Sequence, residues 1–427
     1  MSRRSTDPVK PDPAPAGGRL PLSGMALTAF IVVAHGVNDV FTSVLPALLP
    51  SVQARFGLGE ATLALLVATF TFSSSLPQPL LGALSERLSP RAATALGIGL
   101  SAIVLSLIGI VPSTPLLFLL ILIGGLGSAA LHPAGSLIAR AADESRADRA
   151  AALFTAGGMV GFALGPVAIL ALVSRFGFGS TLWLMVPGLA LALATLILVP
   201  ASTQRREGRT PFDRQLLVGP VGWLTLAATL SHLPFLTFLS AAPLWLVSER
   251  GFSPDASLIG WTLATFSLAC AAGSAAGGWL GERWGRAAVA AGSMILSIAP
   301  FIALLTLEAG SLAYFGAVAA AGFFAYMSLP LLVVSAQDLA PKAVAAASGM
   351  LIGLSAGLAG LLYVGIGWLQ ETIGIGNAMA ASYLAMLPAA ALAFVVLRRH
   401  AASFVARSNA PSLQLPCGCR SGPAIVG

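Results

Sequence analysis

Residues Met25–Pro50 read MALTAFIVVAHGVNDVFTSVLPALLP, an apolar run with one short polar island. On a helix, four polar residues at i, i+3, i+4 and i+7 share one stripe: His35, Asn38, Asp39 and Thr42. At about 1.5 Å per residue the run can cross a hydrocarbon core of about 30 Å, which places the stripe near mid-depth. An ionisable side chain there costs roughly 2.5–3.5 kcal/mol, so the stripe is expected to face a bundle interior or a water-filled cavity.

Two interpretations of this stripe stay open. In the first, which we adopt as the prediction, the helix is the wall of a transport pathway and Asp39 carries a proton beside His35. In the second, His35 and Asp39 only hydrogen-bond each other and lock the packing of the helix.

The whole chain has the composition of a membrane protein. Of its 427 residues 57% are hydrophobic and 9% are charged, whereas a soluble domain has about 25% charged residues. The mean hydropathy of +0.89 requires that apolar surface meets lipid. The three cysteines form no disulfide framework. Residues 1–20 are polar and Pro-rich, which predicts a disordered tail and no signal peptide.

Twelve apolar segments predict an all-α membrane protein of two pseudo-symmetric six-helix bundles. The segments fall near 24–50, 60–82, 92–111, 115–140, 150–173, 181–200, 219–248, 256–280, 287–307, 311–339, 343–369 and 376–397. The predicted organisation is a cytoplasmic tail (1–20), an N-terminal bundle (21–200), a cytoplasmic linker (201–218), a C-terminal bundle (219–400) and a second cytoplasmic tail (401–427).

Loop charges predict the orientation. With both termini cytoplasmic, all 23 Lys and Arg residues fall inside except Arg55, Arg175 and Arg250, as the positive-inside rule requires. The net charge of +7 is therefore attributed to topology, and no nucleic-acid partner is expected. The prediction is a multi-pass protein of the bacterial inner membrane that acts as a monomer.

The two halves of the chain resemble each other at a fixed offset of 196 or 197 residues. The matching positions are Ala-Thr-Phe at 68–70 and 264–266, His35 and His232, and Pro133 and Pro330. Such a repeat predicts two like-oriented bundles that rock about a central site.

Charged loops also recur after the second and eighth helices. The two copies are Gly82, Glu86, Arg87 and Arg91, and Gly278, Glu282, Arg283 and Arg286. Glycine permits close helix approach, and the acid and arginines can bridge helix ends across a gate; the alternative is a solvated charged turn. The pattern resembles the loop signature of the major facilitator superfamily, with Glu where Asp is commoner and with Ser89-Pro90 departing from it in the first copy.

The fifth helix carries glycines at intervals of four. Gly157, Gly161 and Gly165 make a smooth groove for a neighbouring helix, and Pro166 bends the helix. The run resembles the antiporter signature of drug-exporting members of that superfamily, although the glycine pair expected downstream is absent. A generic small-residue packing face is the alternative.

The fourth helix presents a second polar stripe, formed by Ser128, His132, Ser136 and Arg140. Together with His35-x-x-Asn38-Asp39 and with Gln78, it resembles the fosmidomycin-resistance family of drug-efflux transporters. That family usually has an acid after its His-Pro pair, where this chain has Ala134, so the resemblance moves any proton role to Asp39 or removes it. The alternatives are that His132 satisfies a carbonyl freed by Pro133 and that Arg140 is an interfacial anchor.

In the second half, His232 and Tyr326 are predicted to line the same cavity. The prediction for His232 depends on its correspondence with His35 in the repeat. The alternative is that His232 contributes only to ordinary helix packing. Cys417 and Cys419 are rejected as a metal site. No metal and no cofactor are predicted, with protons as the coupling ion.

No Walker loop, nucleotide fingerprint or HExxH helix occurs, which argues against an enzyme or an ATP-driven pump. The predicted function is proton-coupled antiport that exports a small drug-like or polar compound. One alternative is a proton-coupled symporter that imports a small metabolite such as an organic acid. A second, from another class, is a membrane receptor or scaffold that transports nothing.

Overall fold

A computed structural model describes residues 22–142, 147–201 and 215–401, and these residues form helices and no strands. Within those ranges twelve helices are long and apolar enough to cross a membrane, so the predicted fold class is confirmed. The spans are α1 Gly24–Phe56, α2 Glu60–Gly82, α3 Pro90–Gly109, α4 Thr114–Ala142, α5 Arg149–Phe176, α6 Phe178–Leu198, α7 Pro220–Ser248, α8 Ser257–Trp284, α9 Arg286–Thr306, α10 Leu312–Leu339, α11 Ala346–Ile373 and α12 Ile375–Arg399.

Several spans are interrupted near a proline. Proline lacks an N–H and its ring crowds the carbonyl four residues earlier, and four interruptions lie shortly before Pro79, Pro187, Pro330 and Pro388. Proline alone does not interrupt a span, since Pro133 lies inside the continuous helix α4. The interrupted spans are α2 (Glu60–Ser75, then a helix Gln78–Leu88 that continues beyond the apolar span), α6 (3-10 Phe178–Leu184, then Met185–Leu198), α10 (Leu312–Tyr326 and Ser328–Leu339) and α12 (Ile375–Tyr383 and Met386–Arg399).

The two halves pack in corresponding ways. In the first half α1 packs on α5, α2 on α4, and α3 on α4 and α6. In the second half the equivalent pairs are α7 with α11, α8 with α10, and α9 with α10 and α12. The weak sequence repeat therefore corresponds to a repeat of helix packing.

The halves meet along two helix pairs, α2 with α11 and α5 with α8, and α1 also contacts α7. Because twelve spans alternate in direction, residues 22 and 401 lie on one face, and the loops after α1, α5, α7 and α11 lie on the other. At this second face Glu371, at the end of α11, accepts a hydrogen bond from the backbone N–H of Ala61 in α2 at 2.9 Å.

The predicted tail 1–20 and nearly all of the tail 401–427 lie outside the described residues, as does most of the linker 201–218. Within that linker, a short helix covers Gln215–Val218 immediately before α7.

Candidate functional site

The polar stripe of α1 is buried inside the N-terminal half. The side chains of His35 and Asp39 are 7% and 14% exposed, and their Nε2 and Oδ2 atoms lie 3.3 Å apart across one helical turn. Asn38 is fully buried beside them. The stripe thus faces protein and not lipid, as the cost of placing an ionisable group in hydrocarbon requires.

A second histidine joins this pair from α4. The Nε2 atom of His132 lies 3.7 Å from Asp39 Oδ1, and the two imidazole rings meet edge to face with centroids 4.9 Å apart. The side chain of His132 is 30% exposed, which makes it the most accessible member of the group. We refer to His35, Asp39 and His132 as the triad.

The other nitrogen of each imidazole is held by a backbone carbonyl. Nδ1 of His35 lies 2.7 Å from the Phe154 oxygen of α5, and Nδ1 of His132 lies 2.7 Å from the Ser128 oxygen of α4. Because a carbonyl only accepts hydrogen bonds, both Nδ1 atoms carry hydrogen and donate. In a neutral ring the Nε2 atom then carries a lone pair and no hydrogen, and the Nε2 atoms of both rings lie within 3.7 Å of an Asp39 carboxylate oxygen.

This arrangement leaves the centre of the triad without a positive charge while both rings are neutral. Two lone pairs and a carboxylate repel one another at these distances in a buried site. Although it lies near Asp39, Nε2 of His35 forms no well-directed hydrogen bond with any residue in the described ranges. A proton or another cation between these atoms relieves the repulsion.

Asn38 and Ser128 support the carboxylate from one side. The Asn38 amide donates to Asp39 Oδ1 at 3.1 Å and to the Ser128 hydroxyl at 3.4 Å. Thr42, which the helical spacing placed on the same stripe, instead donates to the Asp39 backbone carbonyl at 3.0 Å. Its hydroxyl is therefore used within α1 and does not reach the carboxylate.

The glycines of α5 explain how its backbone reaches the triad. A methyl group at Gly157 would lie 2.6 Å from the Val32 carbonyl oxygen, and one at Gly161 would overlap the Gly36 backbone. At Gly165 it would lie 2.8 Å from the Val40 carbonyl oxygen. The predicted glycine groove is thus the α1–α5 contact, formed by close backbone approach.

Two further residues of α5, neither of them predicted from the sequence, complete this contact. The Phe154 ring stacks on His35 with centroids 4.0 Å apart. A methyl at Gly158 would lie 2.7 Å from both Asp39 Oδ2 and His35 Nε2. The signal available in the sequence was the position of Gly158 beside Gly157.

Other predicted cavity residues make contacts within their own helices. The Ser136 hydroxyl donates to the Pro133 carbonyl at 3.0 Å, and the Gln78 amide donates to the Ser74 carbonyl at 2.9 Å. Arg140 is exposed near the end of α4. His132 combines two roles, since Nδ1 binds a carbonyl of its own helix, that of Ser128, while Nε2 faces Asp39.

In the second half, His232 belongs to an aromatic cluster. Its Nδ1 contacts the Ala228 carbonyl at 3.1 Å and the Ser355 hydroxyl at 3.4 Å. The rings of Phe235 and Tyr326 lie 6.1 and 6.4 Å from the His232 ring, and 5.1 Å from each other. We refer to His232, Phe235 and Tyr326 as the aromatic box. Phe235 was not predicted to belong to this cluster, although its i+3 spacing from His232 was the available signal in the sequence.

The charged residues predicted to form the loop after α8 lie at the ends of α8 and α9, and one of them pairs with a residue that was not predicted. Arg286 Nη1 lies 2.5 Å from Asp338 Oδ2, at the end of α10, and 3.4 Å from the Ser335 hydroxyl. Arg283 lies over the Trp279 ring of its own helix, and Glu282 is exposed.

The close approach expected at Gly278 occurs at its neighbours. A methyl at Gly278 meets open space, whereas methyls at Gly277 and Gly281 would overlap Met327 and Leu331 of α10. The reason is the rotation of α8 about its axis, which turns Gly277 and Gly281 toward α10 and Gly278 away from it.

In the first loop, a methyl at Gly82 would lie 3.1 Å from Pro133, which agrees with the expected close approach. Arg91 donates to the Val199 carbonyl at 3.4 Å. The side chains of Glu86 and Arg87 lie outside the described part of the chain.

The fold and the match of residues 31–363 to the sequence profile of the Major Facilitator Superfamily define the class, and the chain belongs to that superfamily. It is similar to the fosmidomycin resistance protein of Escherichia coli (strain K12), with 28% identity over 82% of this chain and 88% of that protein. It is also similar to an uncharacterized MFS-type transporter, YfnC, of Bacillus subtilis (strain 168), with 29% identity over 84% of this chain and 89% of that protein.

Solved structures agree at the level of the fold. A bacterial homologue of the human lysosomal transporter Spinster, in an inward-facing and unoccupied conformation, superposes with a TM-score of 0.68. The identity is 16%, and the match covers 91% of this chain and 98% of that chain. A mutant form of the nucleoside transporter NupG has a TM-score of 0.67 and 16% identity, and the match covers 88% of this chain and 100% of that chain.

Proposed function

We propose that this protein is a secondary active transporter that exports a small drug-like or polar compound in exchange for protons. The observation that carries the proposal is the triad, a carboxylate between two imidazole nitrogens that are oriented as acceptors. The similarity to a fosmidomycin resistance protein supports export, and the α1–α5 glycine contact resembles the antiporter signature. We place the protein in the bacterial inner membrane as a monomer, with both termini cytoplasmic.

In the proposed cycle Asp39 and its two histidines share one proton when the site is empty of substrate. The proton neutralises the buried carboxylate and removes the repulsion between the Nε2 lone pairs and Asp39. Each imidazole keeps its Nδ1 hydrogen on a carbonyl, so the rings stay in place while the proton arrives and leaves. The proton reaches the triad past His132, which is the most exposed of the three residues.

Substrate binding competes with that proton and couples the two fluxes. A compound that contributes a hydrogen-bond donor or a positive group to Asp39 replaces the proton, while the aromatic box binds its less polar part on α7 and α10. Only one of the two occupants is bound in each half-cycle, which gives exchange. One charge moving through 100 mV corresponds to about 2.3 kcal/mol, enough to bias two conformations of similar energy.

The direction of the proton gradient that drives accumulation tests this proposal. Proteoliposomes containing the full-length protein are given labelled fosmidomycin, chosen because a similar protein confers resistance to it, with either an acidic or an alkaline lumen. Antiport predicts accumulation with the acidic lumen, whichever way the protein is inserted, because the sign of coupling does not depend on insertion. Vesicles without protein provide the control.

Two other outcomes would contradict the proposal. Accumulation driven by an acidic exterior identifies a symporter. If fosmidomycin and a panel of drugs and organic acids show no protein-dependent flux under any gradient, the protein is a receptor or scaffold.

A further inference from the structure

The triad also has the donor atoms of a transition-metal site. One ring nitrogen of His35, one ring nitrogen of His132 and one carboxylate oxygen of Asp39 all lie within 4.8 Å of one another. These atoms come from two helices, α1 and α4, and converge on one point. Two imidazoles and one carboxylate suit Zn²⁺, Co²⁺ and Ni²⁺ better than Mg²⁺ or Ca²⁺, which prefer oxygen ligands.

The surroundings of the triad already hold its rings in the orientation that a metal ligand needs. In metal sites the second nitrogen of a ligating imidazole donates to a carbonyl or carboxylate, which directs the lone pair of the first toward the ion. Here the Phe154 and Ser128 carbonyls perform that role at 2.7 Å each. The Asn38 amide holds the carboxylate at 3.1 Å in the same way.

The spacing is close to that of a metal centre. With bonds of about 2.0–2.1 Å, tetrahedral ligands of Zn²⁺ lie about 3.3 Å apart. His35 Nε2 lies 3.3 Å from Asp39 Oδ2, and His132 Nε2 lies 3.7 Å from the other carboxylate oxygen, Oδ1. Since no separation exceeds 4.8 Å, the two nitrogens need to close by about 1.5 Å at most, which is within the reach of small side-chain rotations.

We propose that His35, Asp39 and His132 bind one divalent transition-metal ion of the Zn²⁺ class. The ion enters past His132, the most exposed member of the triad, and keeps its remaining coordination positions for water. The binding itself does not depend on the proposed transport function. The expected effect of the ion on transport does rest on the proposed function. An ion on these atoms occupies the site of the coupling proton, so Zn²⁺ is expected to inhibit exchange.

Cobalt absorption spectroscopy tests the binding directly. The full-length protein is to be prepared without a polyhistidine tag, and Cys417→Ser and Cys419→Ser remove the tail thiolates in every sample. The chain has four histidines, His35, His132, His232 and His400, so few other nitrogen ligands compete. The expected result is one Co²⁺ per chain with visible d–d bands, which Zn²⁺ abolishes by displacement.

Three variants assign the site. His132→Gln and the nearly isosteric Asp39→Asn are expected to weaken Co²⁺ binding by more than about 100-fold, since loss of an outer partner alone costs about 10–100-fold. His232→Gln, the matched control in the other half, is expected to keep the spectrum. Size-exclusion profiles confirm folding, and if one triad variant does not fold the other decides. Absence of stoichiometric binding to the unsubstituted triad, or unchanged binding in a folded triad variant, overturns the proposal.

A second measurement separates this proposal from the transport proposal. Zn²⁺ is expected to raise the Tm of the unsubstituted triad but not of Asp39→Asn, with no substrate or gradient present. A protein that binds Co²⁺ but carries no solute refutes the transport proposal and leaves the metal site standing. A protein that exchanges protons for substrate but gives no Co²⁺ spectrum refutes the metal site alone.

Discussion

The two halves share a pattern of helix packing but differ in the chemistry at corresponding positions. At the offset of 197 residues, His35 matches His232, yet the positions of Asp39 and His132 are Leu236 and Leu329 in the second half. Asn38, which orients the carboxylate, corresponds to Phe235 of the aromatic box. At these positions the first half holds a carboxylate between two imidazoles, while the second half holds a single histidine with aromatic rings around it.

The same difference extends to the helices that support each site. Gly158 lets the α5 backbone lie against the triad, and the matching position in α11 is Ser355, which contacts His232. In α11 the residues just before it, Met350–Leu354, form a π-helix, which often marks functional sites. Each half therefore fits its own supporting helix to its own histidine. The proposed function has proton coupling in the first half and substrate contacts in the second.

The largest effect is expected from Asp39→Asn, which removes the acid that the second half lacks. The amide cannot carry the exchanged proton, so gradient-driven accumulation should fall by more than about 100-fold, in line with loss of a positioned acid–base group. Initial rates in proteoliposomes measure it. Glu308→Gln, which changes an exposed loop carboxylate, is the control, and wild-type exchange by Asp39→Asn would remove the assigned role of this half.

The next effect is expected from Gly158→Ala. The added methyl would lie 2.7 Å from Asp39 Oδ2 and His35 Nε2, so the triad or the α1–α5 contact must open. Overpacking of this kind costs about 1–3 kcal/mol, and we expect a lower Tm together with reduced exchange. Gly316→Ala in α10, where a methyl meets open space, provides the matched control. Equal behaviour of the two variants would show that the close contact is unimportant.

A smaller effect is expected from Phe235→Ala in the aromatic box. Loss of its ring contacts should weaken substrate binding by about 1–2 kcal/mol, a rise in KM of roughly 10-fold, while the number of protons exchanged per substrate stays the same. Concentration-dependent uptake with a pH-sensitive dye measures both quantities. A changed proton ratio would contradict the division between the two halves.

The smallest effect is expected from Glu371→Gln, which alters a contact between the halves. Its carboxylate accepts from the Ala61 N–H at 2.9 Å, and a charge-assisted bond of this exposed kind is worth about 0.5–1 kcal/mol. We expect a two- to fivefold shift toward the conformation that is open on that face, measured by spin-label distances.

Glu249→Gln is the matched control for that variant. It weakens a similar bond at 3.0 Å to the Gly376 N–H, but within the second half. It should leave the conformational balance unchanged, and an equal shift in both variants would argue against a specific contact between the halves.

The sequence predicted the fold well because the dominant signal is local. Apolar runs set the spans, and the four-residue spacing of Gly157, Gly161 and Gly165 predicted the groove that α1 fills. The breaks in α2, α6, α10 and α12 lie near prolines, but Pro133 and Pro234 lie in unbroken helices, so proline positions alone could not have predicted which spans are interrupted. Gly278 was wrongly expected to make a close contact because the phase of α8 against α10 depends on tertiary packing.

The site was only half accessible from sequence. The spacing within α1 placed His35 beside Asp39, but no periodicity in the sequence indicates that His132 of α4 contacts the same carboxylate. The carbonyl of Phe154, the backbone at Gly158 and the pairing of Arg286 with Asp338 likewise depend on how helices cross. These contacts join residues far apart in the chain, and their register is set by side-chain packing across several helices.

Proton release on substrate binding tests the central claim most directly. Purified protein in weakly buffered detergent solution is mixed with saturating substrate, and a pH-indicator dye reports the protons released. If substrate replaces a proton on the triad, up to about one proton per bound substrate leaves the wild-type protein and none leaves Asp39→Asn, whose substrate binding is verified separately. Equal release from both proteins would show that the exchanged proton resides elsewhere.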